Sequence, residues 1–392
     1  MDFELTPEQN ALRRTIRDFA RAEVAPHAAE WDARSEFPTA VIRQLGELGV
    51  MGLPFPENEG GVGAGALELA LAIEELARVD SSVAITVSAN VGLAGAVLHQ
   101  FASAEQKERW LVPLARGETL GALAATEPDA GSDAAGISTT ARLVDDTWRV
   151  NGTKAFITNA GTEMTTFVVA TVVTGEAPAR SSDSGPGAAR RREISMLLVP
   201  NGTPGYQVGP PYHKLGWHAS DTRELHFDDC QVPENSLVGP RGAGLRQFLA
   251  VLDGGRIGVA ALAVGLAQGA LDMALDYAKQ RYAFGEPIGR KQAIQFQLAE
   301  LATEVEAARL LTYRAAALRD SGRPYSQMAA MAKLFASELA VRAANVSLQV
   351  HGGFGYMEEA PIARFYRDAK ILTIGEGTSE IQKIVIARGL GL

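Results

Sequence analysis

Ile374-Gly375-Glu376-Gly377-Thr378-Ser379-Glu380-Ile381-Gln382 is the stretch around which the rest of the chain reads as organised. Ser379 and Gln382 stand at capping-box spacing, which predicts a helix start, and Ile381, Ile384 and Val385 then recur at helical spacing. Glu376 precedes that helix between two glycines, which let backbone or ligand approach closely. It follows the apolar run Ile371-Leu372-Thr373-Ile374, where desolvation raises a carboxyl pKa. A carboxylate tuned in this way is a usable general base. Alone, an acid between two glycines is more often a solvated turn residue, so its weight depends on its surroundings.

At 392 residues the chain exceeds what one core usually holds, so two or three domains are expected. The 46% hydrophobic and 21% charged content is that of an ordinary globular protein. A net charge of −9 argues against a nucleic-acid partner, and the basic run Arg190-Arg191-Arg192 lies in a polar loop. Cys230 is the only cysteine, which excludes an intramolecular disulfide and indicates a reducing compartment. Met1-Asp2-Phe3-Glu4 runs directly into an acidic amphipathic helix, unlike a signal or transit peptide. The longest small-apolar run, Val259 to Leu266, is too short to span a bilayer. A cytoplasmic protein with no membrane span is the expectation.

Residues 1–118 read as an α-helical domain. Thr6-Pro7 supplies an N-cap and first helical residue, and Leu12, Ile16, Phe19 and Val24 an apolar face. Further helices are predicted at Val41–Leu48, Leu67–Ala77, Ser82–Phe101 and Glu105–Leu114. Gly61-Val62-Gly63-Ala64-Gly65-Ala66 matches a dinucleotide fingerprint, with Asp80 at about the right distance. That fingerprint needs a buried strand before it, and Pro54, Pro56 and the polar Glu57-Asn58-Glu59 break the segment. A glycine loop leading into a helix is the better reading. Ser81 to Leu98 is small and apolar without Lys or Arg, so it suits either a pocket for an uncharged tail or a buried core helix.

Residues 119–234 read as an antiparallel β domain, a barrel or sandwich, inserted between helical parts. Strands are predicted at Thr139–Val144, Trp148–Val150, Ala155–Thr158, Phe167–Val173, Ile194–Val199 and Glu224–Phe227, with Asp145-Asp146 as a hairpin turn. Gly175–Arg192 reads as a mobile surface loop. Thr126 to Asp133 concentrates hydroxyls, carboxylates and a glycine, and Phe156-Ile157-Thr158-Asn159 offers an aromatic face and a hydroxyl. Together they could hold a flat heteroaromatic ring, although each alone is more often turn chemistry.

Residues 235–392 read as a four-helix-bundle domain, with small-apolar helices over 242–281, 291–320 and 324–350. Arg281-Tyr282-Ala283-Phe284-Gly285 ends the first, an Arg-aromatic pattern suited to pyrophosphate or adenine. Gln349-Val350-His351-Gly352-Gly353-Phe354-Gly355-Tyr356 ends another, with glycines where backbone can meet a ligand. The six histidines show no ligand spacing with Cys or carboxylates, so no metal site is expected.

In this helical–β–helical order the chain resembles the acyl-CoA dehydrogenase family over essentially its whole length. The resemblance rests on Ala125-Thr126-Glu127-Pro128-Asp129-Ala130-Gly131-Ser132-Asp133-Ala134-Ala135-Gly136, with Ala125 smaller than usual. It rests equally on Gln349, Gly352, Gly353, Gly355, Tyr356, Glu359, Arg364 and Asp368 at family spacing, and on the Glu376-Gly377-Thr378-Ser379 segment. The resemblance implies bound FAD and α,β-desaturation of an acyl-CoA thioester, with Glu376 as base and the β-hydrogen leaving as hydride to flavin N5. In another branch of the family the base sits where this chain has Gly255, which carries no carboxylate. Should Glu376 not be the base, Glu127 and Asp253 are the next acids to consider.

By position, the resemblance gives the flavin ring Leu123, Thr126, Gly131 and Ser132 on one side and Phe156, Ile157 and Thr158 on the other. It gives the diphosphate and adenine of a neighbour's FAD Arg281, Phe284, Gln292, Gln349, Gly352 and Gly353, with Thr378 and Glu380 as further contacts. Ser132, Asp253, Arg256 and Gly377 match substrate positions. It further implies a homotetramer built as a dimer of dimers, and an electron-transferring flavoprotein as acceptor. Gly375 stands where a larger side chain is common, which suggests room for a short-to-medium, uncharged and even branched acyl tail. The alternatives are a flavin-dependent oxidase or monooxygenase on the same scaffold, and a non-catalytic acyl-CoA-binding protein.

Overall fold

A computed structural model describes residues 4–176 and 192–392. Most of the 175–192 loop and the first three residues therefore fall outside the described residues. The N-terminal region holds α1 (Pro7–Phe19), α2 (Ala28–Arg34), α3 (Thr39–Glu47), α4 (Ala66–Ala77), α5 (Ser81–Ala89), α6 (Ala96–Phe101), α7 (Ala104–Gln106) and α8 (Val112–Ala115). Thr6 caps α1 as its sequence predicts. Its hydroxyl accepts from the Gln9 backbone N–H at 3.2 Å, and Gln9 Oε1 accepts from the Thr6 N–H at 3.0 Å. The glycine loop before α4 follows a 3₁₀ turn at Glu57–Glu59 and no strand, so it is no dinucleotide site. Its use is steric: a Cβ on Gly61 would lie 2.1 Å from the Phe55 carbonyl oxygen and 2.5 Å from that of Gly52.

The middle region carries β1 (Leu120–Ala124), β2 (Thr140–Val144), β3 (Thr147–Thr158), β4 (Thr165–Glu176), β5 (Arg192–Pro200), β6 (Tyr206–Pro211) and β7 (Thr222–Pro233). They form one sheet of order β1-β4-β2-β3-β7-β6, with β5 also on β4. The pairing is mixed, because β1 runs parallel to β4 over five residue pairs and β2 meets β4 at a parallel bridge. The remaining pairs of this sheet are antiparallel. Two predicted short strands are one, β3, whose bulges at Val150/Gly152 and Lys154/Ile157 break the alternation that made them look separate. Asp145 and Asp146, at φ 48° and 60°, make the β2–β3 turn, the positive-φ pair that a tight hairpin demands.

The C-terminal region is built from α9 (Gly244–Gln280), the ribbon β8 (Tyr282–Ala283) and β9 (Glu286–Pro287), α10 (Gln292–Asp320), α11 (Ser326–His351), α12 (Pro361–Ala369) and α13 (Ser379–Gly389). The two helical regions are not separately cored. Ile42, Ile73 and Val83 share one apolar cluster with Leu262, Val264, Ala343 and Leu372, while the sheet keeps its own around Trp148, Val168 and Phe227. Glycines bring α4 and α9 together: a Cβ on Gly265 would meet the Glu74 carbonyl oxygen at 2.2 Å. Asp320, at the end of α10, accepts from the Ala66 and Leu67 N–H groups at 2.7 and 3.1 Å and so caps α4 from the other region.

Ser81–Phe101 and Gly244–Gln280 are long and apolar enough to cross a membrane by length and composition, beyond what the Val259–Leu266 run suggests. Yet 89% and 72% of their most apolar windows are buried inside the protein, the surroundings of core helices.

Gly61→Ala should destabilise the protein by about 2–3 kcal/mol, the usual scale of overpacking. The visible spectrum of bound flavin should not change. Thermal melting and absorbance of the purified variant check both; lost flavin at full stability would return the loop to a binding role.

Candidate active site

The segment predicted to hold the base descends from α12 through a 3₁₀ turn at Lys370–Thr373 and turns sharply. Glu376 takes φ 51° and Gly377 φ 91°, so a non-glycine residue is held in the left-handed region, a strain that marks functional positions. Helix α13 starts one residue earlier than capping-box spacing predicts. Thr378, not Ser379, is the N-cap, its hydroxyl accepting from the Ile381 N–H at 3.3 Å. Ser379 instead donates to Glu338 Oε1 at 2.5 Å, and the buried Gln382 amide donates to the Gly377 carbonyl oxygen at 2.8 Å.

The Glu376 residue as a whole keeps some exposure, but its Oε2 atom is sealed from solvent and has no hydrogen-bond partner among the described residues. Burial pushes its pKa up to about 7, against the pull of the Lys333 and Arg256 cations. The helix facing it is α9, and the facing residue is Gly255. A Cβ there would lie 2.2 Å from Glu376 Oε2 and 3.0 Å from Leu93 Cδ2. The chain thus brings positions 255 and 376 to one point, with space for one carboxylate.

Leu93 belongs to a wide π-helical turn, Asn90–Gly95, between α5 and α6. Such turns recur at functional sites. Of the apolar stretch Ser81–Leu98, only Gly92 and Leu93 are partly exposed; the remainder is buried. Arg256 is buried, pairs with Asp253, and leaves its Nε without a partner. Asp253 is therefore already committed to a cation.

Glu127 is likewise no spare base. Both its oxygens are filled: Oε2 accepts from the Ser138 N–H at 2.6 Å and the Ser138 hydroxyl at 2.7 Å, and Oε1 from the Thr139 N–H at 3.0 Å and Lys154 Nζ at 2.8 Å. Burial works to raise its pKa, but these partners hold it down at about 2. The clamp shapes the loop. Its tip leaves Gly131 and Ser132 exposed and Leu123 and Thr126 partly so, while the Thr126 carbonyl is tied to the Ala155 N–H at 2.9 Å.

Across from that tie, Phe156 takes φ 60° and is 64% exposed, a large ring with no core role. Among the described residues its aromatic neighbour is Tyr212, at 5.2 Å between centroids, which sequence reasoning missed. Thr158 is half-buried. Ile157 alternates to the opposite side and is buried in the sheet core, so only its main chain is free to meet a ligand.

Arg281, Gly352 and Gly353 share a surface cavity of about 510 Å³ with Tyr277 and His351. The Arg281 guanidinium lies 5.6 Å over the Phe354 ring. A Cβ on either glycine would meet no atom within 4 Å, so a ligand can approach the main chain there. Phe284, 96% exposed, Gln292 and Gln349 stand on the same exposed end but do not line the cavity. Thr378 and Glu380 open α13 as described. Arg364 and Asp368 prove to be structural: Asp368 accepts from the Ser81 hydroxyl and the Trp217 N–H, both at 2.6 Å, joining the three regions. Among the described residues, no group of three or more His, Cys, Asp or Glu could hold a metal ion.

An exposed, strained aromatic ring, a hydroxyl-bearing loop tied to the strand that carries it and a basic, glycine-edged cavity are the surfaces this chain offers a ligand. The chain matches the acyl-CoA dehydrogenase N-terminal domain over residues 6–118, the middle domain over 122–230 and the C-terminal domain over 242–391. The chain belongs to the acyl-CoA dehydrogenase family.

It is 48% identical to the probable acyl-CoA dehydrogenase YngJ of Bacillus subtilis, over 390 residues and the full length of both chains. It is 44% identical to the mouse (Mus musculus) mitochondrial short-chain specific acyl-CoA dehydrogenase, covering 98% of this chain and 90% of that one. Butyryl-CoA dehydrogenase from Megasphaera elsdenii superposes with a TM-score of 0.94 at 41% identity, each chain covered completely. This acyl-CoA dehydrogenase is thus an oxidoreductase acting on CH–CH donors and uses FAD, as its family does. A glutaryl-CoA dehydrogenase from Mycobacterium smegmatis with the same fold (TM-score 0.90, 28% identity, 98% and 95% covered) was solved in complex with FADH2. A chain solved in work on the electron transferring flavoprotein of Acidaminococcus fermentans is 42% identical, with a TM-score of 0.93 and 100% and 99% covered.

Because Glu376 holds its proton up to about pH 7 when folded but releases it near 4.5 when unfolded, raising the pH through that window costs stability. Above pH 7 the cost is complete. Glu376→Gln removes it, so the variant should be more stable than the parent at pH 8, by about 3 kcal/mol at most, and the gain should vanish towards pH 4.5. Melting curves across pH check this; a difference independent of pH would contradict it.

Proposed function

We propose that Glu376 removes the α-proton of an acyl-CoA thioester in an α,β-desaturation. One observation carries the reading: Oε2 of Glu376 is sealed, unpartnered and raised to about pKa 7, in a family that desaturates acyl-CoA. A base of that pKa is about half ionised at neutral pH, so it is available as carboxylate and still takes a proton readily. When bound, FAD supplies the acceptor for the β-hydrogen, which leaves as hydride. The chain's own residues do the rest. The Glu127–Lys154 clamp fixes the loop that presents Thr126 and Ser132, and Phe156 and Thr158 offer an opposing face. The left-handed turn at Glu376 aims the carboxylate at α9, where Gly255 leaves the volume free.

The tail is proposed to be short and uncharged. The π-helical turn presents only Gly92 and Leu93 and carries no cation, so a distal carboxylate packed against it would be desolvated without a partner. At Gly375 a Cβ would meet only Ile371, at 3.5 Å and beyond, which leaves room. The short-chain mouse relative and the butyryl-CoA dehydrogenase support the same size class. Anaerobic bleaching of flavin absorbance should be faster with butyryl-CoA than with glutaryl-CoA; the reverse order would contradict this.

We further propose a cytoplasmic homotetramer, a dimer of dimers, that passes electrons to an electron-transferring flavoprotein. Supporting the assembly, the 510 Å³ cavity is rimmed by exposed Phe354 and Met357, and α11 borders a second cavity of about 820 Å³ that includes Leu215, Phe335 and Tyr366. A monomer that holds FAD fully, seen by light scattering, would contradict the assembly. Rapid peroxide formation without another acceptor would contradict the electron route.

Glu376→Gln should lower turnover by at least on the order of 10²–10⁴ while the protein stays folded and yellow. Because positions 255 and 376 meet, moving the carboxylate needs the old side chain gone. Gly255→Glu in a Glu376→Gly background should recover part of the bleaching rate that Glu376→Gly alone loses. In the parent it should impair turnover, since a Cβ at 255 collides with Glu376 Oε2. Undiminished bleaching in Glu376→Gln would place the base elsewhere.

A further inference from the structure

Helix α11 presents an alanine-lined buried face, Ala329, Ala332, Ala336 and Ala340, and in the middle of it stands a lysine, Lys333, at 0% exposure. A wholly buried ammonium is costly and persists where it is paired. Lys333 has three N–H donors to place. Among the described residues it makes one hydrogen bond, Nζ to the Gly377 carbonyl oxygen at 2.7 Å. That carbonyl is the one on which the buried Gln382 amide also converges. It belongs to the residue after Glu376, inside the left-handed turn. The two donors hold this turn from α11 and α13, so the strained φ of Glu376 is fixed by its neighbours rather than by its own preference.

We propose that Lys333 is a positioning residue for the reaction: it pins the Glu376 turn through Gly377 and, by its charge, sets the pH at which the Glu376 carboxylate becomes a base. This rests on the reading of Glu376 as the base. The charges that bear on the pair are few. Arg256, on α9, is the second cation near Glu376, and it is shared with Asp253. Glu338 on α11 and Glu380 on α13 act on Lys333, and Glu338 is itself held by the Ser379 hydroxyl. Burial lowers the lysine towards a pKa of about 8, with Glu376 the foremost group holding it up. The ammonium thus remains charged while Glu376 deprotonates, and its field is what keeps a desolvated carboxylate from rising further. Remove the charge and Glu376 should hold its proton to higher pH.

The test uses FAD-loaded enzyme and three variants, each scored by two readouts. One is the pH profile of anaerobic bleaching by butyryl-CoA. The other is the infrared titration of the carboxyl band that Glu376→Gln abolishes, which needs no turnover. Lys333→Met loses both charge and donor; Lys333→Gln keeps a donor for Gly377 but no charge; Lys333→Arg keeps the charge. In Lys333→Met and Lys333→Gln the carboxyl titration and the acid limb of kcat/KM should both move up by about one pH unit. Bleaching below pH 7 should fall roughly tenfold as a result. Lys333→Arg should restore the parental limb. Unshifted titration and profile in a folded, yellow neutral variant would overturn the proposal. So would failure of both neutral variants to fold while Lys333→Arg folds, because that assigns the lysine to stability alone. Full bleaching by Glu376→Gln would overturn the base assignment instead, and would show in that variant whatever Lys333 does.

Discussion

An unpartnered carboxylate pressed against a glycine is the constraint on which the arrangement depends. Glu376 Oε2 lies where a Cβ at Gly255 would intrude to 2.2 Å, sealed from water and without a hydrogen bond. Desolvation is the largest influence on its proton, outweighing two nearby cations. A carboxyl group in such a place destabilises the folded protein at neutral pH, so it must be held there by everything around it. The turn that carries it is strained, and the hydrogen bonds that offset the strain come from α11 and α13.

The scaffold serves that placement. α9 approaches α4 closely through Gly265, and Asp320 of α10 caps α4, so the two helical regions behave as one body with a shared core. The Asp368 node then ties α12, which leads into the Glu376 turn, to Ser81 and to Trp217 of the middle region. A displacement of any one region would move the base relative to the loop at Thr126–Ser132. The buried Glu127–Lys154 pair does for that loop what Lys333 does for the turn, with every acceptor on the carboxylate filled.

Much of this was legible from residue patterns. Thr6-Pro7 forms the cap it announces, Asp145-Asp146 the hairpin, and Glu376 reads as an acid placed for desolvation. The glycine fingerprint is visibly broken in the sequence, because prolines and charges precede it where a strand is required, and a 3₁₀ turn stands there. What failed was non-local. Alternation does not encode strand direction, so the parallel β1–β4 pairing was invisible, and Leu120-Gly-Ala-Leu-Ala lacks the β-branched residues that flag a strand. Strand β6 ends in two prolines and survives as an edge, where a missing donor does no harm. Thr378 displaced Ser379 as the cap because Ser379 has a better partner in Glu338. Tyr212 carries no motif. Lys333 did leave a signal, a cation on the alanine face of a helix, but only its burial shows that it is not solvated.

The most direct measurement follows the proton itself. Enzyme mixed anaerobically with butyryl-CoA in D₂O should exchange deuterium into the recovered substrate at its α-carbon. The rate should rise with pH around a midpoint near 7, as the carboxylate forms. Glu376→Gln, folded and with FAD bound, should exchange no faster than the uncatalysed thioester. Exchange by that variant at the parental rate would contradict the account, because another group would then be lifting the proton.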